Sequence, residues 1–198
     1  RMEGFRNPTI YELYGTDNYG YSGNKNLKPE KSISNELYAE FELFDNIEGS
    51  IRGFKTRLID QIEYVSNRYV NSDDNLDLKQ SGIDSRIKFN LLDYNINLFS
   101  SFLSSKKING DDQLRRPKKN YGLSLNKKLI TNYLGNIEIN LKYQHYGKHF
   151  DTHSSSFTTI EMDSTDIVDL NISKKVNFAN FFIKFTNLLG ENYQRPHG

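Results

Sequence analysis

Apolar and polar residues alternate most clearly in the stretch Ile33-Ser34-Asn35-Glu36-Leu37-Tyr38-Ala39-Glu40-Phe41-Glu42-Leu43, and this stretch decides the fold. Successive side chains of a β-strand point to opposite faces, so the odd positions form an apolar face and the even positions a polar face. The polar face carries Glu36, Glu40 and Glu42, which do not suit a dry core. The stretch therefore predicts a β-strand whose polar face meets a water-filled lumen or open solvent.

The same alternation recurs along the chain and predicts about eight strands. They cover residues 33–43, 47–62, 83–91, 96–103, 121–126, 137–144, 168–173 and 181–186. Most approach the length of about 9–11 residues that a tilted membrane strand needs. The second strand changes phase, which a bulge near Gly53 or emergence from a membrane would explain. The pattern predicts an all-β, antiparallel chain with no helix of useful length.

The predicted connections alternate strictly between short and long. Short ones lie at 45–46, 93–95, 131–136 and 175–177, and long polar ones at about 63–80, 104–118 and 147–162. Outer-membrane barrels have short turns on the periplasmic side and long loops on the outer side. A soluble sandwich has no reason to sort its connections in this way. The pattern therefore favours a segment of an up-and-down transmembrane β-barrel.

The composition limits the class of protein and of partner. The chain has 198 residues, a formal net charge of +1 and no cysteine, so neither a nucleic-acid partner nor a disulfide framework is indicated. No apolar run reaches about 18 residues, so no transmembrane helix is predicted. The chain begins at Arg1 without an export signal, and we expect an internal piece of a longer protein.

Several motifs lie in a fixed order along the chain. The first runs from Phe5 to Gly15 and continues with Gly23-Asn24-Lys25-Asn26-Leu27-Lys28-Pro29-Glu30-Lys31-Ser32. Later ones are Asp60-Gln61-Ile62-Glu63-Tyr64, Gly82-Ile83-Asp84, Leu114-Arg115-Arg116-Pro117 and Asn187-Leu188-Leu189-Gly190-Glu191-Asn192-Tyr193. Together they resemble the barrel of TonB-dependent outer-membrane receptors. The spacing, including the double arginine, is most similar to that of the cobalamin transporter, although Leu189 stands where the family usually has phenylalanine.

The resemblance implies a fold and a function. The whole barrel would have about 22 strands, and residues 1–198 would be a partial barrel domain without the plug domain and the final strand. The full protein would lie in the outer membrane of a Gram-negative bacterium, in contact with its lipid. It would import a scarce nutrient, cobalamin or a ferric siderophore, with energy from TonB acting on the plug.

Two other classes of protein share parts of the pattern and stay open at this point. A passive porin has the same barrel physics without an upstream plug. A soluble β-sandwich or adhesin-like domain has the same alternation, with its apolar face packed on a second sheet.

Five residues are candidates for ligand binding in the outer loops: Tyr14, Tyr19, Tyr21, Arg115 and Arg116. Tyrosine offers a large apolar area with a polar tip, so the three tyrosines suit a surface that first meets a ligand. An interfacial aromatic girdle is an equal alternative for them. A solvated loop flank is the alternative for the arginines. Tyr11, Tyr64 and Tyr69 are predicted to serve in the girdle or in loop packing.

No catalytic site, resident metal or cofactor is predicted. Ser154-Ser155-Ser156 beside His153 has neither a base nor an oxyanion site marked around it. His145, His149 and His153 recur every fourth residue, but in a strand and loop this spacing does not place them on one side. Loop carboxylates lie at Asp73, Asp74, Asp77, Asp111 and Asp112, without the pattern of a calcium loop. We predict that these histidines and carboxylates are solvated, and residues 9–23 contain no histidine of the kind found in haem receptors.

Overall fold

The computed structural model describes residues 1–72, 77–107, 110–131, 135–153, 156, 158–176 and 178–192. Strands dominate these ranges, with one short helix and one 3-10 turn at Phe44–Asn46. In chain order the elements are β1 (Met2–Arg6), α1 (Ile10–Tyr14), β2 (Glu30–Leu43), β3 (Ile47–Ile59), β4 (Ile62–Val65), β5 (Arg68–Asn71), β6 (Leu78–Leu91), β7 (Tyr94–Lys107), β8 (Lys119–Thr131), β9 (Gly135–Tyr146), β10 (His149–Thr152), β11 (Thr159–Met162), β12 (Thr165–Val176) and β13 (Ala179–Phe185).

Nine of these strands form one sheet in the order β1-β2-β3-β6-β7-β8-β9-β12-β13, and the described pairs are antiparallel. The prediction of an all-β antiparallel fold is therefore confirmed. The eight strands predicted from alternation are all present, and β1 is the ninth. None of the described helices is long and apolar enough to cross a membrane.

Connections in the sheet alternate between short and long, as the sequence predicts. Short connections follow β2, β6, β8 and β12, whereas the connections after β3, β7 and β9 are long. Two long connections contain hairpins that sequence analysis did not predict. The β4–β5 hairpin turns through Ser66 and Asn67, whose φ angles are 49° and 64°, and β10 pairs with β11 in the other. Asparagine tolerates the left-handed region better than most residues, which suits the turn at position 67.

The chain forms two compact units. Unit 1 comprises Arg1–Leu37, Gly53–Gly82 and Ser104–Gln113. The apolar side chains that are buried within the described residues, Tyr21, Leu27, Ile62 and Leu78, all belong to this unit. Unit 1 thus has a small core, built from the long connections and the strand residues next to them.

Unit 2 comprises Tyr38–Arg52, Ile83–Leu103 and Leu114–Gly198. Strand register places its apolar side chains in rows that cross β7, β8, β9 and β12 on one side of the sheet. Two successive rows are Leu98–Leu123–Tyr143–Val168 and Ile96–Leu125–Leu141–Leu170. We call this side the apolar face of unit 2. None of its described apolar side chains is buried, so this face is not the interior of a packed core.

The opposite side of unit 2, which we call the polar face, carries hydrogen-bonding groups. One row across the same four strands is Asn95–Asn126–Asn140–Asn171, and the next is Asn97–Ser124–Lys142–Asp169. Asn140 Nδ2 donates to Asn126 Oδ1 at 2.5 Å. One face of this sheet therefore suits an apolar environment, and the other suits an aqueous one.

The ring of Phe41 packs against the backbone of Gly49, in β3. A Cβ at that position would lie 2.1 Å from the Cζ atom of the Phe41 ring, which is much closer than real Cβ atoms come to a carbon. The ring of Phe41 thus occupies the space that a side chain at position 49 would need.

Candidate functional site

The connection between β1 and β2 is organised by the short helix α1. Thr9 caps it, because its Oγ1 accepts a hydrogen bond from the backbone N–H of Glu12 at 3.2 Å. In return, the N–H of Thr9 donates to Glu12 Oε2 at 2.6 Å. This reciprocal arrangement is a capping box, preceded here by Pro8. In physical terms, the first motif is a strand followed by a helix start.

Arg6, at the end of β1, links this helix to the strand that follows. Its Nη1 lies 3.1 Å from Glu12 Oε1, and its Nε donates to Glu30 Oε2 at 2.6 Å. The other oxygen of Glu30 accepts from the N–H of Ile62 at 2.7 Å. Burial alone would raise the pKa of Glu12, but the hydrogen bonds from Thr9 and the charge of Arg6 outweigh it and lower that pKa. Both glutamates are therefore structural anions.

Gly23, in the second half of the motif, lies against the backbone of α1. Its N–H donates to the carbonyl of Gly15 at 2.7 Å. A Cβ at position 23 would lie 2.6 Å from the carbonyl carbon of Leu13 and from the N atom of Tyr14. Only glycine allows this approach without a shift of the backbone, which explains why this residue type stands here.

Asparagines fix the rest of the motif to the β4–β5 hairpin. Asn24 Nδ2 donates to the carbonyl of Tyr69 at 3.1 Å. Asn71 Oδ1 accepts from the N–H of Lys28 at 2.7 Å, and its Nδ2 donates to the carbonyl of Lys28 at 3.0 Å. These bonds hold the hairpin beside the first connection within unit 1.

Four tyrosines pack together between this connection and the hairpin, and we call Tyr11, Tyr21, Tyr64 and Tyr69 the tyrosine cluster. Tyr21 is its centre: it is 3% exposed, it stacks on Tyr11 with 4.7 Å between ring centroids, and its hydroxyl donates to the carbonyl of Tyr11 at 2.7 Å. Tyr69 meets Tyr21 edge-on at 5.9 Å, and Tyr64 lies 6.0 Å away. Such pairs add about 0.5–1.5 kcal/mol each beyond area burial.

The three tyrosines that are predicted to bind the ligand differ in their exposure to solvent. Tyr19 is 90% exposed and Tyr14 is 60% exposed, with Lys25 Nζ 5.6 Å from the Tyr14 ring centroid. Tyr21 is buried and its ring contacts those of Tyr11 and Tyr64. Tyr11 and Tyr64 are themselves more than half exposed. Unit 1 thus presents several tyrosine side chains to solvent, and two of them, Tyr11 and Tyr64, also contact Tyr21. The ligand-binding role of these residues stays a prediction.

The two predicted arginines belong to unit 2 and differ from each other. Arg115 Nε donates to Asp151 Oδ1 at 2.8 Å, and the backbone N–H of Arg115 donates to the carbonyl of Phe150 at 2.6 Å. Arg116 is exposed and makes no hydrogen bond or ion pair with the described part of the chain. Arg115 is therefore already engaged with the β10–β11 hairpin, and the ligand-binding role of both arginines stays a prediction.

The histidines do not converge. His145 Nδ1 lies 2.8 Å from Asp166 Oδ1 and its ring stacks on Tyr121, so the prediction of a solvated loop histidine is wrong for this residue. His149 Nδ1 lies 3.3 Å from the carbonyl of Gly147. His153 Nδ1 accepts a hydrogen bond from the N–H of Ser156 at 3.3 Å.

The acidic residues give a mixed result. Asp77 is 1% exposed and paired with Arg57 at 2.9 Å, so the prediction of a solvated carboxylate is wrong there. Asp73 and Asp74 lie outside the described residues, as do Ser154 and Ser155. Within the described ranges, no group of three potential metal ligands comes together.

Sequence reasoning missed the tyrosine cluster as a unit. The contacts of Tyr21 with Tyr64 and Tyr69 join residues that are far apart in the chain, and no local pattern marks them. The available signals were local ones: the capping box at Thr9 and Glu12, and the asparagine at the hairpin turn.

Solved structures share this fold. The ferric yersiniabactin uptake receptor FyuA from Yersinia pestis is 19% identical, with a TM-score of 0.67, over 83% of this chain and 26% of that chain. The ferripyoverdine receptor of the Pseudomonas aeruginosa outer membrane is 14% identical, with a TM-score of 0.69, over 96% of this chain and 26% of that one. The siderophore receptor PirA from Acinetobacter baumannii is 16% identical, with a TM-score of 0.71, over 94% and 34% respectively.

These likenesses concern the fold, and the chain spans between 26% and 34% of the length of the three receptors. No protein of curated function matches the sequence. The family model described as "TonB dependent receptor-like, beta-barrel" matches residues 2–188. The family and these neighbours are transport receptors and not enzymes. Because the match covers nearly the whole sequence, the chain belongs to the TonB-dependent receptor family and represents part of its β-barrel.

Proposed function

We propose that the complete protein is an outer-membrane active transporter for a scarce metal chelate. Residues 1–198 supply part of the barrel wall and outer loops, while the plug domain and the final strand lie outside this range. The observation that carries the proposal is the family match over residues 2–188. Family membership also favours active uptake over the passive porin and the soluble sandwich that alternation alone left open.

The two faces of unit 2 support the membrane assignment. We assign the apolar face to lipid and the polar face to the lumen, since transmembrane barrels alternate apolar and polar residues in this way. On the side of the long connections, the apolar rows end at the row Ser100–Tyr121–His145–Asp166. Tyrosine and charged residues are common at such a boundary, where headgroups replace hydrocarbon. The long connections then face the outside of the cell, and TonB acts from the periplasm through the plug.

The exposed tyrosines are our candidates for first contact with the ligand. A metal chelate such as cobalamin or a ferric siderophore is large, partly apolar and rich in polar groups. Tyrosine rings match such a surface at low cost in conformational entropy, because the side chain has only two rotatable angles. Tyr14 and Tyr19 of unit 1 offer exposed rings for this contact. Arg116, in unit 2, is a separate candidate that offers a cation for an anionic group.

The spacing of the motifs makes cobalamin the first candidate ligand. A ferric siderophore is the second, supported by the names of FyuA, the ferripyoverdine receptor and PirA, which refer to iron chelates in those proteins. Equilibrium binding of cobalamin and of several ferric siderophores to the purified complete receptor separates the two. Binding of one class with a Kd below about 1 µM, and no binding of the other, identifies the substrate class.

The role of the tyrosines is tested in the same assay. We expect the Tyr14→Ala, Tyr19→Ala double variant to bind the ligand about tenfold or more weakly, since aromatic contacts at binding surfaces often cost over about 1 kcal/mol each when truncated. Tyr94→Ala is the matched control, because Tyr94 lies at the start of β7 in unit 2. Unchanged affinity in the double variant would remove these tyrosines from the site, and absence of binding to every chelate would contradict the proposed function.

A further inference from the structure

The β10–β11 hairpin lies in the connection between β9 and β12, and it contacts the connection between β7 and β8 through Arg115. Asp151, at the centre of this contact, faces Ile160 of β11 across the hairpin and is 4% exposed. Its Oδ1 accepts from Arg115 Nε at 2.8 Å and from the N–H of Thr152 at 2.7 Å. Loss of the cation would leave a nearly buried carboxylate charged and without a partner, which is strongly destabilising.

The backbone adds a second attachment at the same residue. The N–H of Arg115 donates to the carbonyl of Phe150, and Arg115 has a φ of 61°. A non-glycine residue in this left-handed region costs of the order of 1 kcal/mol and persists where its surroundings hold it. Arg115 therefore contacts two successive residues of β10, one through its backbone and one through its side chain.

Other charged contacts of the hairpin are much weaker. Lys148 pairs with Glu161 at 3.7 Å and with Asp163 at 3.1 Å, and all three side chains are more than half exposed. Exposed pairs of this kind contribute little to stability. Burial would raise the pKa of Asp151, but Arg115 and the Thr152 N–H outweigh it and lower that pKa, so Asp151 is the hairpin anion that the fold holds charged.

We propose that Arg115 and Asp151 form a clasp that holds the β10–β11 hairpin on the connection between β7 and β8, so that these two outer segments move as one body when the receptor takes up or releases its ligand. Arg115 is then a positioning residue, whereas its neighbour Arg116 makes no ion pair with the part of the chain that the structure describes. The part of the inference that concerns ligand exchange rests on the proposed function. The clasp itself does not.

Hydrogen–deuterium exchange of the complete, ligand-free receptor tests the clasp. We expect Arg115→Gln and Asp151→Asn each to raise exchange in residues 147–164 and, in parallel, in residues 114–118, by about tenfold to a hundredfold, as expected for loss of a hydrogen bond to a charged group. The double variant should exchange no faster than the faster single variant, since both changes open one contact. Arg116→Gln is the matched control and should leave both segments unchanged.

Each result decides one part of the inference. Unchanged exchange in residues 147–164 for both clasp variants would overturn the clasp. Faster exchange in the hairpin alone would overturn the movement as one body. The dissociation rate of a bound chelate should change at least severalfold in Arg115→Gln, and an unchanged rate would overturn the link to ligand exchange. If the wild-type receptor binds no chelate, the proposed function fails while the exchange result still stands.

Discussion

Leu141 lies in the middle of the apolar face of unit 2, and its replacement by arginine tests whether this face meets lipid. It pairs with Leu125 on β8 and with Leu170 on β12. Four residues along β9 in one direction reach the boundary formed by His145 and Asp166. In the other direction, Ile137 pairs with Lys174, which marks the opposite boundary.

The expected cost follows from this position. Four residues of an antiparallel strand span about 13 Å, which is roughly 10 Å along the membrane normal at a tilt of about 40°. Leu141 is therefore about equally far from both polar boundaries, which puts it close to the bilayer midplane under the proposed lipid assignment. Arginine at that depth destabilises a transmembrane barrel by about 2–4 kcal/mol. This corresponds to a decrease in the folding equilibrium constant of about 30-fold to about 900-fold.

The measurement is urea-dependent folding of the complete receptor into lipid vesicles, followed by the mobility of the folded form on unheated gels. Asn140→Arg is the matched control, because Asn140 lies one residue away on the polar face. It should lose only the hydrogen bond to Asn126, worth about 1 kcal/mol. The lipid assignment is refuted if Leu141→Arg unfolds at the wild-type urea concentration, or if the control loses as much stability.

Three further changes test unit 1 and the clasp. Gly23→Ala should lower the free energy of unfolding by about 1–3 kcal/mol because its Cβ meets backbone atoms, whereas Gly53→Ala, whose Cβ meets nothing within 4 Å, should stay within about 0.5 kcal/mol in the same urea titration. Tyr21→Phe should lower the free energy of unfolding by about 1 kcal/mol, because it loses the hydroxyl hydrogen bond. Tyr21→Ala should lower it by about 3–5 kcal/mol, because it also loses the ring. Equal decreases for the two variants would contradict the packing role of the ring. The pKa of Asp151 is lowered in the fold, so its contribution is present above the unfolded value of about 3.9 and is lost as the pH falls through the folded pKa. Protection factors in residues 147–164, corrected for intrinsic exchange, should therefore fall below about pH 4 in wild type but not in Asp151→Asn, and a wild-type profile that stays flat with pH would speak against the ion pair.

The strands were predictable because the two faces of the sheet meet different surroundings. Residues 137–144 alternate cleanly, and β9 extends the predicted strand by only two residues at each end. The beginning of β6 was not predictable, since Leu78 lies before the alternation that starts at Ile83 and is 1% exposed in unit 1. There the side chains belong to the small core of unit 1, so period two no longer describes their environment.

The long connections were less predictable because long-range contacts organise them. A helix of five residues has no measurable period, and only the capping box at Thr9 and Glu12 marks α1 in the sequence. Burial of Tyr21 depends on Tyr69, which lies in another connection. Likewise, two adjacent arginines look equivalent in the sequence, and only the position of Asp151 distinguishes Arg115 from Arg116.

The contact between Phe41 and Gly49 should couple the residue types that are tolerated at these two positions. A larger residue at position 49 would overlap the Phe41 ring, since the added Cβ would lie 2.1–2.8 Å from three of its ring atoms. A side chain at position 49 therefore requires either a movement of the Phe41 ring or a smaller residue at position 41. In relatives, a larger residue at position 49 should therefore occur together with a smaller residue at position 41. An aromatic residue should occur at one of these two positions but not at both.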